Sequence, residues 1–345
     1  MKALEFRAVV LAAGLGTRLR PLTQFLPKPL LPVTGTPVLG HTLSSLAKAG
    51  CRKAAINLFH QGDKIASRFG NRYEGVDLVY SPEEELLGTL GALAPLREFL
   101  SPADIVVVVN GDSLCRWPIK RLLRQHKKAA ARATLLVSTR APLEAFGGGI
   151  GIDRSGAVVS LSPDKSFGEV EKRVVFAGAH AFAPTLVAHL EPRPADFIPD
   201  LYLPMLEAGE RIEVVESSRP WFDLGTPAGY LVGACDWAQR RGPAKVAGRS
   251  WIAADAEVDR SASVRRAVVE AGARLASEVQ VERSVVLSEA RIRERCKVRD
   301  SIIGFRAELP PGTVVERRLV TKARADVIPR AGDSVVGGLV YSPLG

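Results

Sequence analysis

The amino-acid sequence predicts an α/β domain, built on a mostly parallel sheet with helices on both faces, followed by a narrow three-sided prism of very short strands. Three observations predict it. Over the first two thirds of the chain, short β-branched runs alternate with amphipathic stretches. Past residue 236 the alternation stops, and aliphatic residues recur in steps of six, six and five. Glycine-rich and acidic segments directly follow the apolar runs, where open α/β sheets place binding sites beyond the carboxyl ends of their strands.

In chain order, strands are expected at 8–11, 54–58, 76–80, 105–110 and 134–138, with helices between them. One helix is expected to open at Thr36-Pro37, with Thr capping and Pro in the first turn, and another at Thr226-Pro227. A basic linker, 239–249, leads into the repeat. Its columns return every 17 residues: Ile252, Val269, Val286, Ile303; Val258, Leu275, Ile292, Leu309; Val264, Val281, Val298, Val315. The residue two places before each is small in eleven of the twelve cases, Val279 being the exception, so large and small inward side chains pair as a narrow prism requires. This spacing resembles the hexapeptide repeats of left-handed parallel β-helices. The expected organisation is an α/β domain over 1–238, the linker 239–249, a left-handed β-helix over 250–316 and a C-terminal tail, 317–345. The open end of the stacked strands calls for cover by that tail or by another subunit, so a homo-oligomer is expected.

Composition narrows the function. The 345 residues are 46% hydrophobic and 24% charged, as in ordinary globular proteins. No apolar run approaches the roughly 18 residues that a membrane-spanning helix needs. The stretch from Val9 to Gly16 follows Glu5 and Arg7 and runs into Thr17-Arg18-Leu19-Arg20, so it reads as folded structure rather than a leader, and a cytoplasmic location is expected. Cys51, Cys115, Cys235 and Cys296 have no C-x-x-C spacing, which argues for buried thiols rather than disulfides or zinc. The net charge of +10 suits a nucleic acid, an anionic substrate or merely a basic surface. Between Phe6 and Gly62 there are seven cations and no acid, which suits phosphate groups. From Arg240 to Arg330, 20 cations and 12 acids alternate with few aromatics, a solvated surface rather than a nucleic-acid stripe.

The first strand runs into Leu11-Ala12-Ala13-Gly14-Leu15-Gly16-Thr17-Arg18-Leu19-Arg20-Pro21-Leu22. Glycines after a strand let backbone N–H groups approach phosphate closely. A P-loop would need Gly-Lys-Ser/Thr here, and a dinucleotide fold a third Gly where Leu19 stands. Instead Arg18 is followed by Pro27-Lys28-Pro29-Leu30, two cations that would bracket a polyphosphate. The two strings together closely resemble the signature of the sugar-1-phosphate nucleotidyltransferases, the NDP-sugar pyrophosphorylases, and imply their Rossmann-like sheet. By that resemblance Arg18 and Lys28 are catalytic: Arg18 grips the triphosphate and Lys28 contacts the phosphates where bonds exchange. Leu11, Ala12, Ala13, Gly14, Gly16 and Thr17 would bind nucleotide.

Asp112 ends an apolar run and, taken alone, is either a capping carboxylate or a ligand. Asp223, in Trp221-Phe222-Asp223-Leu224-Gly225-Thr226-Pro227, adds a second acid, and two carboxylates near phosphate suit Mg²⁺. Both strings resemble the family's metal motifs, which implies Asp112 and Asp223 as Mg²⁺ ligands, Asp112 also touching nucleotide. The segment Ser81 to Ala92 resembles the family's nucleobase-contacting segment, closest in flavour to the mannose-1-phosphate guanylyltransferases, and implies Ser81, Gly88 and Thr89 there. Gly147, Asp164, Lys165 and Gly178 track the family's sugar-phosphate positions. The match weakens at this point: Asp164 replaces Glu, Ser166 replaces Pro, and Phe176-Ala177-Gly178 stands where Asn-Ala-Gly is usual. The expected substrates are an NTP, GTP first, and a sugar 1-phosphate, such as mannose 1-phosphate or a related hexose or heptose 1-phosphate. UTP, dTTP, ATP or CTP as donor and a catalytically silent regulatory or scaffold subunit are the alternatives.

Overall fold

A computed structural model of the chain describes residues 4–129, 131–240, 249–323, 330 and 332–344. Contacts group the chain into two compact units, Met1–Gly14 with Leu39–Trp221, and Leu15–Val38 with Phe222–Gly345.

The first unit is a mixed, mostly parallel sheet with helices. Its strand order is Val158–Ser160, Ile150–Ile152, Lys172–Phe182, Ile105–Asn110, Phe6–Leu11, Lys53–Leu58, Val76–Pro82 and Arg72–Tyr73. Ala133–Ser138 joins Lys172–Phe182 and in turn carries Ile212–Ser217. Phe6–Leu11 lies between two parallel neighbours, Lys53–Leu58 and Ile105–Asn110. Val106 to Val109 are fully buried, as a central strand covered on both faces must be. All five expected strands form, each starting or ending within two residues of its expected bound. Lys172–Phe182 runs antiparallel to Ile105–Asn110 and carries a bulge, because its pairing with Ala133–Ser138 jumps from Phe176–Val137 to Ala179–Leu136. Bulges re-aim the side chains beside them.

In the second unit the expected prism is present as a parallel β-helix of the hexapeptide type. Its sheets stack two- and three-residue strands at the 17-residue period, for example Glu257–Val258, Arg274–Leu275, Arg291–Ile292 and Glu308–Leu309. All twelve expected aliphatic positions lie in one core, Ile252 and Val258 at its partly buried rim. Helix Pro227–Gln239 contacts the strands Val268–Val269 and Val285–Val286, which explains why the outward-facing Val268 and Val285 are fully buried. The tail covers one sheet: Arg318–Lys322 adds in parallel to Ile302–Ile303, then pairs antiparallel with Leu339–Pro343, which pairs with Ser334–Val336.

Thr226 caps helix Pro227–Gln239 as expected, its hydroxyl accepting from the Gly229 N–H at 3.1 Å. The Thr36-Pro37 expectation is corrected. These residues pair with Pro32–Val33 as a two-strand hairpin, and the helix begins at Val38. The physical reason is the turn at Thr34 and Gly35, both at positive φ, which folds Thr36 back before a helix can start. Most of the expected linker, 241–248, lies outside the described residues. The four cysteines are buried and free.

Candidate active site

The first unit offers a cleft of about 260 Å³ at the carboxyl ends of its central strands, lined among others by Ala13, Gly14, Glu83, Gly88, Thr89 and Asp112. Its floor is an amide–carboxylate relay. Asn57, the polar penultimate residue of a buried strand, accepts from the Ala12 N–H at 2.6 Å and donates to Glu83 at 2.8 Å. Glu83 in turn accepts from the Leu87 N–H at 3.0 Å. The relay ties the glycine loop to the segment before Gly88, so both walls keep their places without a ligand. Ser81 is buried in register with Asn57 and supports that strand rather than lining the cleft. Thr89 donates through both its N–H and its hydroxyl to Asp196.

The second unit holds the two cations. Arg18 lies in a one-turn helix, Thr17–Leu19, after Gly16, whose carbonyl accepts from the Thr23 hydroxyl at 2.8 Å. Lys28 sits in a similar turn, Lys28–Leu30, opened by Pro27. Its side chain is only 6% exposed, and its ammonium lies 3.6 Å from Asp223. Asp223 also accepts from the Gly225 N–H at 2.9 Å. Gly225 is where the group converges. A β-carbon there would sit 2.8 Å from Arg18 Nη2 and 3.0 Å from Asp223 Oδ1, distances that real β-carbons do not show. Arg18 and Asp223, far apart in sequence, thereby meet at one glycine, and Lys28 joins them through Asp223.

Beside the smaller cleft, and sharing Leu11, Thr89 and Asn110 with it, the first unit has a larger one of about 390 Å³. Phe176 and His180 from the bulged strand line it together with Phe197 and Tyr202, and the His180 ring packs edge-on against Phe197, the ring centroids 4.2 Å apart. His180 Nδ1 is hydrogen-bonded to the Tyr202 hydroxyl. Burial holds the imidazole neutral, its pKa lowered to about 3. Gly178, at φ 76°, lets the bulge approach Asn110, whose side chain would lie 3.2 Å from a β-carbon.

The other expected sugar-phosphate residues are not at either cleft. Gly147 and Asp164 are exposed, and Lys165 pairs with Glu207 at 2.6 Å and lies over the Phe167 ring. Among the cleft residues that escaped the sequence reading are Asn57, Glu83, Asn110 and His180. The two asparagines carried a signal, each being polar at the carboxyl end of a buried strand. Glu83 and His180 carried none, because their placement depends on a loop and on a bulge.

Residues 7–240 match the family model described as nucleotidyl transferase. The chain belongs to that family. Residues 236–327 match a GlmU-like C-terminal hexapeptide model. Among relatives, the mannose-1-phosphate guanylyltransferase catalytic subunit beta of Drosophila pseudoobscura pseudoobscura is 30% identical over 66% of this chain and 62% of its own length. Its Xenopus tropicalis counterpart is 29% identical over 68% of this chain and 65% of its own length. The chain thus spans under two thirds of the length of these curated relatives. Among solved structures, HddC from Yersinia pseudotuberculosis has the same fold, with a TM-score of 0.57, 20% identity and coverage of 67% of this chain and 99% of that one.

The nucleotidyl transferase signature also bears on metal. Among the described residues no three His, Cys, Asp or Glu side chains are grouped to hold an ion. Asp112 lies at a wall of the smaller cleft in the first unit, and Asp223 lies beside Lys28 in the second; each is a carboxylate of the kind that suits a hard cation sharing its ligands with phosphate and water.

Proposed function

We propose that the chain transfers a nucleotidyl group from an NTP to a sugar 1-phosphate, giving an NDP-sugar and pyrophosphate. GTP and mannose 1-phosphate, or a related hexose or heptose 1-phosphate, are the first substrates to test. The observation that carries this reading is the pair of cations held at Asp223, Lys28 at 3.6 Å from it and Arg18 beside it at Gly225. Two cations held beside a carboxylate suit a triphosphate whose charge shifts toward a leaving pyrophosphate. The guanine preference is supported by relatives at about 30% identity that are named guanylyltransferases.

In this reading the backbone of Ala13 and Gly14 and the wall of Gly88 and Thr89 hold the nucleotide. Arg18 and Lys28 neutralise the phosphates, and Asp112 and Asp223 would hold Mg²⁺, which when bound supplies further charge neutralisation. An oxygen of the sugar phosphate attacks the α-phosphorus in line, and the bond to pyrophosphate breaks. No general base is needed, because a phosphate monoester with a second pKa near 6 is already largely dianionic at neutral pH. None of the residues lining the smaller cleft is a histidine. A homo-oligomer assembled through the β-helix is part of the proposal.

The test is pyrophosphate release over a matrix of NTPs and sugar 1-phosphates, with and without a chelator. Release that requires both substrates and a divalent cation is expected. If no pair reacts, the silent-subunit alternative takes its place.

A further inference from the structure

The acceptor must place its phosphate within about 3–3.5 Å of the α-phosphorus. If nucleotide fills the smaller cleft, as proposed above, the sugar belongs in the larger cleft that opens from it past Leu11, Thr89 and Asn110. The wall of that cleft is unusual for a sugar. Phe176 is partly exposed there, and the buried rings of Phe197 and Tyr202, with Leu135 and Ile150, complete an apolar lining. Polar groups lining the cleft engage one another in two pairs, and Asn110 stands where the two clefts meet. His180 is bonded to Tyr202, and Asp196 accepts both donors of Thr89. The bulge between Phe176 and Ala179 sets the aim of Phe176, and Gly178 allows that bulge to pack on Asn110. Phe176 also stands where the family resemblance would have Asn.

We infer that the preferred acceptor is a sugar 1-phosphate in which an apolar group, the methyl of a deoxy sugar or of an acyl substituent, replaces a hydroxyl against the Phe176, Phe197 and Tyr202 wall. A hydroxyl turned to that wall gives up water and finds no partner, whereas a methyl gains contact with ring faces. Apolar pockets discriminate a methylene by roughly 10- to 200-fold, which sets the scale of the effect. This inference rests on the nucleotidyl-transfer reading and names its acceptor more closely.

The test compares matched acceptors on the full chain with Mg²⁺ and each NTP: mannose 1-phosphate against 6-deoxymannose 1-phosphate, and glucose 1-phosphate against N-acetylglucosamine 1-phosphate. Both kcat/KM and equilibrium binding are read. In at least one pair the apolar-substituted acceptor should win by tenfold or more, and Phe176→Asn should cut that ratio at least tenfold while raising use of the hydroxylated parent. Should Phe176→Asn fail to fold, the wild-type ratios still decide. Parents that equal or outperform their counterparts in both pairs would overturn this inference and leave nucleotidyl transfer standing. Absence of turnover and binding with every acceptor and NTP would overturn both.

Discussion

The sheet unit and the β-helix unit bury their cores in opposite ways. In the first, strands such as Ile105–Asn110 are nearly continuous apolar runs covered on both faces, and polar residues appear where the runs stop. Those stops make the clefts, with Asn57, Asn110 and Asp112 at their edges. In the second, the prism strands are two or three residues long and every other side chain points inward, so an open groove of about 480 Å³ runs across stacked strands such as Glu257–Val258 and Arg274–Leu275 instead of beyond the end of a long one. Its candidate site residues come instead from short segments, the turns Thr17–Leu19 and Lys28–Leu30 and the end of the strand at Asp223. The prism serves these turns as a platform. Tyr230 of the overlying helix is hydrogen-bonded to the Pro32 carbonyl, Cys235 lies 3.7 Å from the Ser284 carbonyl, and Glu270 of the prism accepts from the Gly35 N–H at 3.0 Å. Long strands therefore create a site at their ends, while a stack of short ones positions a site carried on its flank.

The largest effect is expected from breaking the platform. Ile292→Asp places a carboxylate at a fully inward position of the prism, at a cost of several kcal/mol, on the order of 3–5. Because Leu15–Val38 groups with the prism, nucleotidyl transfer should fall along with thermal stability. Transfer that persists while hydrogen exchange shows the prism opened would separate the two roles, as the expected boundary at 238 implies.

Next come the charges themselves. Asp223→Asn, Arg18→Ala and Lys28→Ala should each lower kcat about a hundredfold with little change in melting temperature, since a transition-state charge contact is worth about 3 kcal/mol. Asp112→Asn in the other unit should match them. A pure KM effect in the cation variants would make them anchoring residues only.

A smaller effect sharpens the contact between turn and prism. Burial pushes the Glu270 carboxyl up to about 7, opposed by the N–H groups of Gly35 and Thr34. A raised folded-state pKa means the folded chain binds the extra proton. This contribution is therefore complete below the ordinary value of 4.5 and is lost as pH rises through 7. Glu270→Gln should flatten that part of the stability profile between pH 4.5 and 7. An unchanged profile in the variant would remove Glu270 from the account.

The smallest effect tests the convergence point. Gly225→Ala must displace Arg18 Nη2 or the Asp223 carboxylate. A shift of that size should reduce kcat about tenfold, near 1.4 kcal/mol, with the melting temperature nearly unchanged. Wild-type kcat would show that the three side chains tolerate movement.

Much of this protein was legible in its residues because local pattern and tertiary burial agree. The five strands, the Thr226 cap and all twelve aliphatic positions of the prism follow from patterns that a single strand or coil imposes on its own side chains. The signature residues Arg18, Lys28, Asp112 and Asp223 were likewise readable, since each sits in a short string of prolines and glycines that constrains few residues at a time. Four things were decided by the tertiary structure alone. Thr36 joined a hairpin instead of a helix, because the turn at Thr34 and Gly35 docks on Glu270. Arg266, Arg283, Asp300 and Arg317 took left-handed corners at φ 46–49°, a conformation held by the stacked ladder and not by residue type. Lys165 found Glu207 at the surface instead of a cleft. Finally, Phe176, His180, Phe197 and Tyr202 met around one space. No sequence period links a bulged strand to the distant segment opposite it, so the chemistry of that wall exists only once the chain has folded.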